Sequence, residues 1–238
     1  NLERYDDAIA FFDKALEIKP NYKKTLNSKG ASLMAVRQYS KAIQCYNEVI
    51  EIDSKYYYAL SNKALALSNL KKNEEAIVWY DKALEIKPKN VRILTNKGTT
   101  LGNLKKYEEA IVCFDKALKI DAKNILALSN KGNTLSNFQK PDDAMFYFDL
   151  ALGIDPNDIF SLNRKGTAYT RLKKYEEAIV CFDNALEIDP NDVSSLHNKA
   201  STLMDLGKYE EAIVCLDKSL EINAEYVHSI NCKGLALG

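Results

Sequence analysis

A 34-residue period runs through this chain from one end to the other. The segment YEEAIVCFDKALKID at 107–121 returns as YEEAIVCFDNALEID at 175–189 and as YEEAIVCLDKSLEIN at 209–223. Shifting the 238-residue sequence by 34 residues aligns it with itself without an insertion or a deletion. Such self-similarity is typical of arrays in which each repeat buries its apolar face against the neighbouring repeats. This period constrains the fold more than any other feature of the sequence.

Equivalent positions of the repeats keep the same kind of side chain. One position is always alanine: Ala8, Ala42, Ala76, Ala110, Ala144, Ala178 and Ala212. Four residues later comes a large side chain, here called the ring column: Phe12, Tyr46, Tyr80, Phe114, Phe148, Phe182 and Leu216. The other half of each repeat carries a small residue, here called the small column: Gly30, Ala64, Gly98, Gly132, Gly166 and Ala200. We expect these small residues to permit close approach of two helices opposite the ring column.

The spacing of apolar residues predicts two helices in each repeat. In YEEAIVCFDKALKI the apolar positions recur at intervals of three and four, as on one face of a helix. A second face is predicted in ILALSNKGNTLSNF, through Leu128, Gly132 and Leu135. Proline then stops the second helix, at Pro20, Pro88, Pro156 and Pro190. The Asn or Asp that follows, as in DPND at 155 and 189, is predicted to cap the next helix.

The pattern resembles the tetratricopeptide repeat family along all 238 residues. The resemblance implies an all-α fold, a right-handed superhelical solenoid of helix–turn–helix repeats whose first helices line a concave groove. We expect one array over 1–238, with the second helix of a partial repeat at 1–22 and a first helix at 227–238. The full repeats are predicted at 23–56, 57–90, 91–124, 125–158, 159–192 and 193–226. Neither end has a polar capping helix, so we expect a piece of a longer array.

Composition narrows the class of protein. Thirty-three basic and thirty-three acidic residues cancel, which argues against a nucleic-acid-binding protein of the uniformly basic kind. No apolar run approaches the roughly 18 residues of a membrane span, so no membrane insertion is expected. Four of the five cysteines occupy the same place in their repeats. Equivalent helices lie about 8–10 Å apart, too far for a disulfide, so we expect free thiols and a reducing, cytoplasmic location.

The sequence predicts no enzyme, cofactor or metal site. It has no Gly-rich phosphate loop, no Cys-x-x-Cys pair and no metalloprotease motif. His197, His228 and Cys232 are the one arrangement that suggests zinc, and they lack a fourth ligand. The repeated Glu-Glu pairs lie in the first turn of each second helix, where acidic residues interact favourably with the helix dipole. These pairs are therefore interpreted as structural.

Polar residues on the first helices are the candidates for ligand binding. Asn62, Asn96, Asn130 and Asn198 share one column, and an amide matches both backbone groups of an extended peptide. The alternative is that they only solvate the helix. Similar asparagine ladders grip substrate backbone in a glycosyltransferase of the family that the chain resembles. The predicted peptide-binding residues are Asn62, Arg92, Asn96, Asn130, Asn133, Asn163, Arg164, Arg171, His197 and Asn198.

The family's carboxylate clamp for chaperone tails is matched poorly. The best register offers Thr95 and Thr99, then Asn130, then Phe160 and Arg164. Only Asn130 and Arg164 match, and both lysines of the clamp are missing. A role as a chaperone co-factor is therefore not expected.

Charge is unevenly distributed between the two kinds of helix. The first helices contain twelve basic residues and one acidic residue, Asp205, which predicts an acidic ligand. Seven of those bases form a lysine column: Lys29, Lys63, Lys97, Lys131, Lys165, Lys199 and Lys233. In the alternative interpretation these lysines pair with aspartates at Asp81, Asp115, Asp149, Asp183 and Asp217, which would only join the repeats together.

The function predicted from these features is a non-catalytic protein–protein interaction scaffold. It would hold an extended, acidic peptide segment or a partner helix in its concave groove. Two alternatives stay open from sequence alone. One is a structural array that self-associates end to end, and the other is a substrate-selecting accessory domain of a larger enzyme such as a glycosyltransferase.

Overall fold

The computed structural model describes residues 2–237, with side chains from residue 4 onward. Over these residues the chain is helical throughout, with tight connections and no strand. The helices are α1 (Leu2–Ile18), α2 (Lys23–Ala35), α3 (Tyr39–Ile52), α4 (Tyr57–Asn69), α5 (Asn73–Ile86), α6 (Val91–Asn103), α7 (Tyr107–Ile120), α8 (Ile125–Asn137), α9 (Pro141–Ile154), α10 (Ile159–Arg171), α11 (Tyr175–Ile188), α12 (Val193–Asp205), α13 (Tyr209–Ile222) and α14 (Val227–Leu237). The predicted all-α class of helical-repeat superhelix is confirmed.

The even-numbered helices from α2 onward are the first helices of the repeats. Each begins at the first residue of a predicted repeat, as α10 does at Ile159 and α12 at Val193. Contacts divide the chain into an N-terminal body, residues 1–122, and a C-terminal body, residues 123–238. Each first helix from α2 to α12 packs against the second helix that follows it in the same body. That all repeats form one continuous array stays a prediction.

The core of each repeat is a ring-column side chain packed on a small residue. A Cβ atom added to Gly166 would lie 2.6 Å from Cε1 of Phe182, and one added to Gly98 would lie 2.7 Å from Cε1 of Phe114. Real Cβ atoms do not approach carbon this closely, so these two rings, as they are placed, leave no room for a Cβ at Gly98 or Gly166. Both rings are fully buried. The close approach predicted at the small column is therefore confirmed at these glycines.

Helix capping also follows the sequence. Asp158 Oδ2 accepts the backbone N–H of Ser161 at 2.9 Å, and Asp192 Oδ2 accepts that of Ser195 at 2.8 Å. Asn90 and Asn124 cap α6 and α8 in the same way. Tyr22 and Tyr56 occupy this column before α2 and α4, and neither makes a side-chain cap. A side-chain oxygen at this place supplies the bond that the first-turn N–H groups of a helix lack.

The turn after each first helix contains a left-handed residue that the sequence did not predict. The residues are Arg37, Lys71, Lys105, Gln139, Lys173 and Gly207, with φ between 58° and 64° except at Gly207, where φ is 79°. Two backbone bonds close the turn after α6, from the N–H of Lys105 to Gly102 O at 2.9 Å and from that of Lys106 to Leu101 O at 3.0 Å. This conformation favours glycine, so long side chains give no sequence signal for it.

Three aromatic side chains lie between α12 and α14. The His197 ring centroid is 5.7 Å from that of Tyr226 and 5.7 Å from that of His228. His197 is half-buried, and its Nδ1 has no hydrogen-bond partner among the described residues. Burial, and then the neighbouring His228, lower the pKa of His197 below its ordinary value of 6.5. The folded state therefore favours neutral His197.

Gly166→Ala is expected to destabilise the chain because its methyl group would overlap the Phe182 ring. Overpacking costs about 1–3 kcal/mol, partly offset by the gain of about 1 kcal/mol in helix propensity. The added variant Phe182→Leu recreates the pairing of Ala200 with Leu216, which pack together in a buried cluster. The two changes should therefore be strongly non-additive in the free energy of unfolding, measured by urea titration. Gly153→Ala is the control, because nothing lies within 4 Å of its new Cβ and stability should rise. Additive effects of the two changes would contradict this account of the core.

The stability of the chain is expected to decrease as pH falls, in part because of His197. Its pKa is lower in the folded state, so the unfolded chain binds the proton more readily. The neutral form contributes fully above about pH 6.5, and the contribution is lost as pH falls from there through the folded-state pKa. Between about pH 7.5 and 5.5 the melting temperature of the parent should fall further than that of the variant His197→Asn. Asparagine is chosen because Asn163 occupies the equivalent position in the preceding repeat. Equal losses in both proteins would refute the assignment.

Candidate functional site

A cavity of about 530 Å³ opens on the first-helix face of the C-terminal body. It is formed by α10, α12 and the residue before α14. Its walls include Phe160, Asn163, Arg164, Thr167, Asp192 and Asn198. Three of these, Asn163, Arg164 and Asn198, are among the predicted peptide-binding residues. An open cavity with a few convergent polar groups is the usual form of a ligand-binding site.

Arg164 is the cationic side chain of this cavity. Its Cζ lies 4.8 Å from the ring centroid of Phe160, so the guanidinium stacks on an aromatic face. The side chain is half-buried, and no carboxylate among residues 4–237 lies within ion-pair distance of it. Burial, and then the charge of Arg171, lower the pKa of the guanidinium. A partly desolvated cation without a counter-ion is suited to receive an anion from a ligand.

Asp192 places a carboxylate in the same cavity, and its Oδ2 is already hydrogen-bonded. That oxygen accepts the backbone N–H and the hydroxyl of Ser195, at 2.8 and 2.5 Å, and Nδ2 of Asn163 at 3.1 Å. Three neutral donors stabilise this carboxylate, whereas no carboxylate among the described residues lies within ion-pair distance of Arg164. The cavity thus holds a hydrogen-bonded anion and a cation that is not paired with it.

The asparagine column takes part in bonds between neighbouring first helices. Asn198 Nδ2 donates to Asn163 Oδ1 at 3.4 Å, a long hydrogen bond. Asn163 Nδ2 also donates to Ser195 Oγ at 2.7 Å. No donor among the described residues reaches Oδ1 of Asn198, which leaves that oxygen available. These side chains thus join neighbouring first helices, which neither interpretation of the column included, and that the column binds a peptide stays a prediction.

The N-terminal body holds three of the predicted residues. Asn62 Nδ2 donates to Asn27 Oδ1 at 3.4 Å, and Asn62 Oδ1 accepts from Arg92 Nη1 at 3.5 Å. Arg92 is exposed, and Asn96 is half-buried. In the part of the chain that the structure describes, the Asn96 side chain has no hydrogen-bond partner. Asn62 and Arg92 are thus brought into contact.

The remaining predicted residues lie outside the cavity walls. Asn130 and Asn133 are half-buried on α8. Arg171 donates from Nη1 to Asn137 Oδ1, so its guanidinium is engaged at the far end of α10. His197 does not line the cavity, but its ring packs on Tyr226, which does. That all ten residues form one peptide site stays a prediction.

Aspartates of the second helices neutralise much of the predicted positive charge of the first helices, because they pair with the lysine column. Lysine Nζ to aspartate Oδ1 distances are 2.5 Å for Lys29–Asp13 and 2.6 Å for Lys165–Asp149, Lys199–Asp183 and Lys233–Asp217, and Lys97 pairs with Asp81 in the same way. Each pair joins a first helix to the second helix of the preceding repeat. The alternative interpretation of these lysines is therefore confirmed at four of the predicted aspartates, Asp81, Asp149, Asp183 and Asp217, and Lys29–Asp13 is a fifth pair of the same kind. The first-helix layer therefore does not carry an unpaired positive charge over its whole surface.

Two column lysines contact an aromatic ring of the following second helix. Lys63 Nζ lies 3.6 Å from the Trp79 ring, and Lys131 Nζ donates to Tyr147 Oη at 2.6 Å. Lys63 has Asn47 at the place where other repeats carry the partner aspartate. Burial, and then the charge of Lys82, lower the pKa of Lys63. A ring face is therefore a second structural partner for this column.

The structure gives no sign of a metal or redox centre in the residues it describes. No group of three or more metal-ligating side chains occurs there, so the arrangement of His197, His228 and Cys232 is not supported as a zinc site. The five cysteines are free, and burial raises the pKa of each thiol. Among residues 2–237, no helix has both the length and the apolar character needed to cross a membrane.

Several cavity residues were not predicted from the sequence. Phe160 lies one turn before Arg164, Asp192 was assigned only as a helix cap, and Tyr226 precedes α14. In hindsight the sequence gives a signal for Tyr226, because four repeats have Asn or Asp at the equivalent position. Thr167 carries none, since a threonine on a polar helix face is ordinary.

Sequence comparisons identify the family. Models described as tetratricopeptide repeat match residues 57–90, 91–124 and 159–192, residues 181–214, and residues 1–22, 24–56 and 126–158. A search of curated proteins finds no match.

Solved structures share the fold at low sequence identity. A tetratricopeptide repeat protein from Parabacteroides merdae has a TM-score of 0.85 at 16% identity, covering 98% of this chain and 93% of that one. A chain of the APC/C hetero-tetramer Cut9–Hcn1 has a TM-score of 0.81 at 18% identity, covering 98% of this chain and 46% of that one. YrrB, a TPR protein with an unusual peptide-binding site, has a TM-score of 0.52 at 24% identity, covering 81% and 99%. This chain thus spans less than half of the Cut9–Hcn1 chain.

The repeat spacing, the ring-on-glycine packing and the matched models lead to one conclusion. Tetratricopeptide repeats are generally non-catalytic modules for protein interaction. This chain belongs to the tetratricopeptide repeat family and has the fold of a protein-interaction scaffold.

Proposed function

We propose that the chain binds an extended acidic segment of a partner protein on the first-helix face of its C-terminal body. The observation that carries the proposal is Arg164, a half-buried guanidinium in an open cavity without a carboxylate partner among the described residues. A ligand carboxylate would form a two-pronged pair with the guanidinium and supply the missing counter-charge. Binding of this kind needs no catalytic group.

The asparagines beside Arg164 supply the contacts to peptide backbone. Asn198 Oδ1 is available as an acceptor, and the Asn163–Asn198 bond of 3.4 Å is long enough to be exchanged cheaply for a shorter one. An amide that both donates and accepts can pair with a backbone irrespective of its sequence. Arg164 would then select the acidic side chain, while the asparagines hold the strand.

Two further observations support the proposal. YrrB, which has an unusual peptide-binding site, shares the fold, so a chain built this way can bind a peptide. The five free, mostly buried cysteines support a reducing compartment such as the cytoplasm as the place of action.

Replacing Arg164 tests whether the cavity selects an acidic ligand. Peptides in an extended array, synthesised in pairs with Glu or with Gln at each acidic position, should bind the parent more tightly in the Glu form. Arg164→Gln should weaken the best Glu peptides by roughly tenfold or more, the range of a charge-assisted bond, and should leave the Gln peptides unchanged. Binding is measured by fluorescence anisotropy.

Arg37→Gln is the matched control, because it removes the same charge outside the cavity. Arg37 has φ 60°, and Gln139 adopts φ 60° at the equivalent turn, so glutamine is tolerated there. This variant should bind like the parent. An equal loss with Arg37→Gln would mean that only net charge matters, and no loss with Arg164→Gln would refute the proposal.

Asn198→Ala tests the backbone contacts. Loss of one or two hydrogen bonds should weaken every bound peptide by about 0.5–1.5 kcal/mol each, in the Glu and the Gln forms alike. Asn103→Ala, at an exposed position on α6, is the control and should have no effect. A loss confined to Glu peptides, or unchanged affinity with intact helical content by circular dichroism, would show that Asn198 does not hold the backbone.

A further inference from the structure

Helix α9 carries an exposed apolar stripe on its outer face. Phe146, Leu150 and Ile154 are 58%, 41% and 41% exposed, and their spacing of four residues places them on one side of the helix. None of them lines the cavity beside Arg164. The stripe is therefore a second surface of the C-terminal body, separate from the proposed peptide site.

The other second helices show that the fold does not require this stripe. At the position of Leu150 they carry Lys14, Glu48, Lys82, Lys116, Asn184 and Lys218. At the position of Phe146 they carry Ala10, Gln44, Val78, Val112, Val180 and Val214. The same helix–helix packing is thus built six times without a large apolar pair at these places. Phe146 and Leu150 therefore have a cost in exposure that folding does not explain, whereas Ile154 is an isoleucine that every second helix carries.

Gly153 is a second departure in the same stripe. The other second helices have Glu17, Glu51, Glu85, Lys119, Glu187 and Glu221 here, all long side chains. Glycine weakens a helix, and Gly153 has neither a left-handed φ nor any atom within 4 Å of a built Cβ that would explain it. Its absence of a side chain leaves the surface beside Leu150 low, on the flank that carries Asp149. Such a gap lets another helix approach closely, as the glycines of the small column do inside each repeat.

Carboxylates border the stripe. All charged residues of α9 are acidic: Asp142 and Asp143 in its first turn, and Asp149 beside Leu150. On a helical wheel Asp142 and Asp149 lie on the Phe146 flank of the stripe, and Asp143 projects between Leu150 and Ile154 at the N-terminal end of the helix. Lys165 pairs with Asp149, whose side chain is 63% exposed, whereas no ion pair among the described residues involves Asp142 or Asp143. The N-terminal end of the stripe therefore presents negative charge to whatever covers the apolar residues.

We infer that α9 is the docking site for an amphipathic partner helix with a basic border. Its apolar anchors, spaced by three and four residues, would cover Phe146, Leu150 and Ile154, with a contact at Gly153. Lysine or arginine beside those anchors would face Asp142, Asp143 and Asp149. The inference does not depend on the peptide site at Arg164, and either can fail without the other.

A displayed library of helical peptides tests the inference with the full chain. The parent is the target, and the variant Phe146→Val/Leu150→Lys/Gly153→Glu is used for counter-selection. Each substitution introduces the residue that sister repeats carry, as in Val78, Lys82 and Glu85, so folding should be preserved. Recovered peptides should have apolar residues at three-and-four spacing and basic borders. Titration should show at least roughly tenfold weaker binding to the triple variant.

Three controls decide the outcome. Asn184→Lys makes the matched change on α11 and should bind the peptides like the parent, as should Arg164→Gln. Asp142→Asn/Asp143→Asn should weaken binding and reduce its dependence on salt. Leu150→Lys alone should weaken binding if the triple variant proves poorly folded by circular dichroism.

Several results would overturn the inference. They are the recovery of no peptide that depends on α9, enrichment of acidic borders, or equal binding to Leu150→Lys. Concentration-dependent dimerisation of the parent that Leu150→Lys abolishes, seen by analytical ultracentrifugation, would show instead that the stripe binds a second copy.

Discussion

The contact between a ring-column side chain and the small residue opposite it sets the distance between the two helices of a repeat. At Gly166 the Phe182 ring occupies the volume that any Cβ would need, so the helices can come no closer and cannot separate without leaving a void. Asn163 and Arg164 lie three and two residues, respectively, before Gly166 on the same helix. Because the Gly166 side of α10 packs against α11, Asn163 and Arg164 lie on the open face.

The sequence predicted those parts of the fold that depend on local signals. Helix starts followed from periodicity, and the caps at Asp158 and Asp192 followed from the DPND motif. The left-handed turn at Lys105 did not follow, because lysine has no preference for that conformation. There the packing of two helices imposes the backbone angle, and tertiary structure overrides local propensity. A glycine, as at Gly207, is the one residue in this column that indicates the turn.

The candidate site was predictable in part for a similar reason. Arg164 stands out as the arginine of the asparagine column to which Asn198 belongs, whereas the cavity arises where several columns from neighbouring helices meet. Asp192 and Tyr226 share one column and Phe160 belongs to another, so no single column indicates that the three residues lie together. The lysine column shows the converse difficulty. Its charge was visible in the sequence, but whether Lys165 faced a ligand or Asp149 depended on a choice between two side-chain directions that composition does not determine.

The lysine–aspartate pairs have a mechanical consequence. Apolar contacts inside a repeat and between neighbouring repeats are insensitive to salt, whereas each pair adds an ion pair to the preceding repeat whose aspartate is 44–63% exposed. Exposed charges are screened by added salt, so this added contact weakens as ionic strength rises. The junctions between these repeats therefore depend on the surrounding electrolyte, and the apolar packing inside a repeat does not.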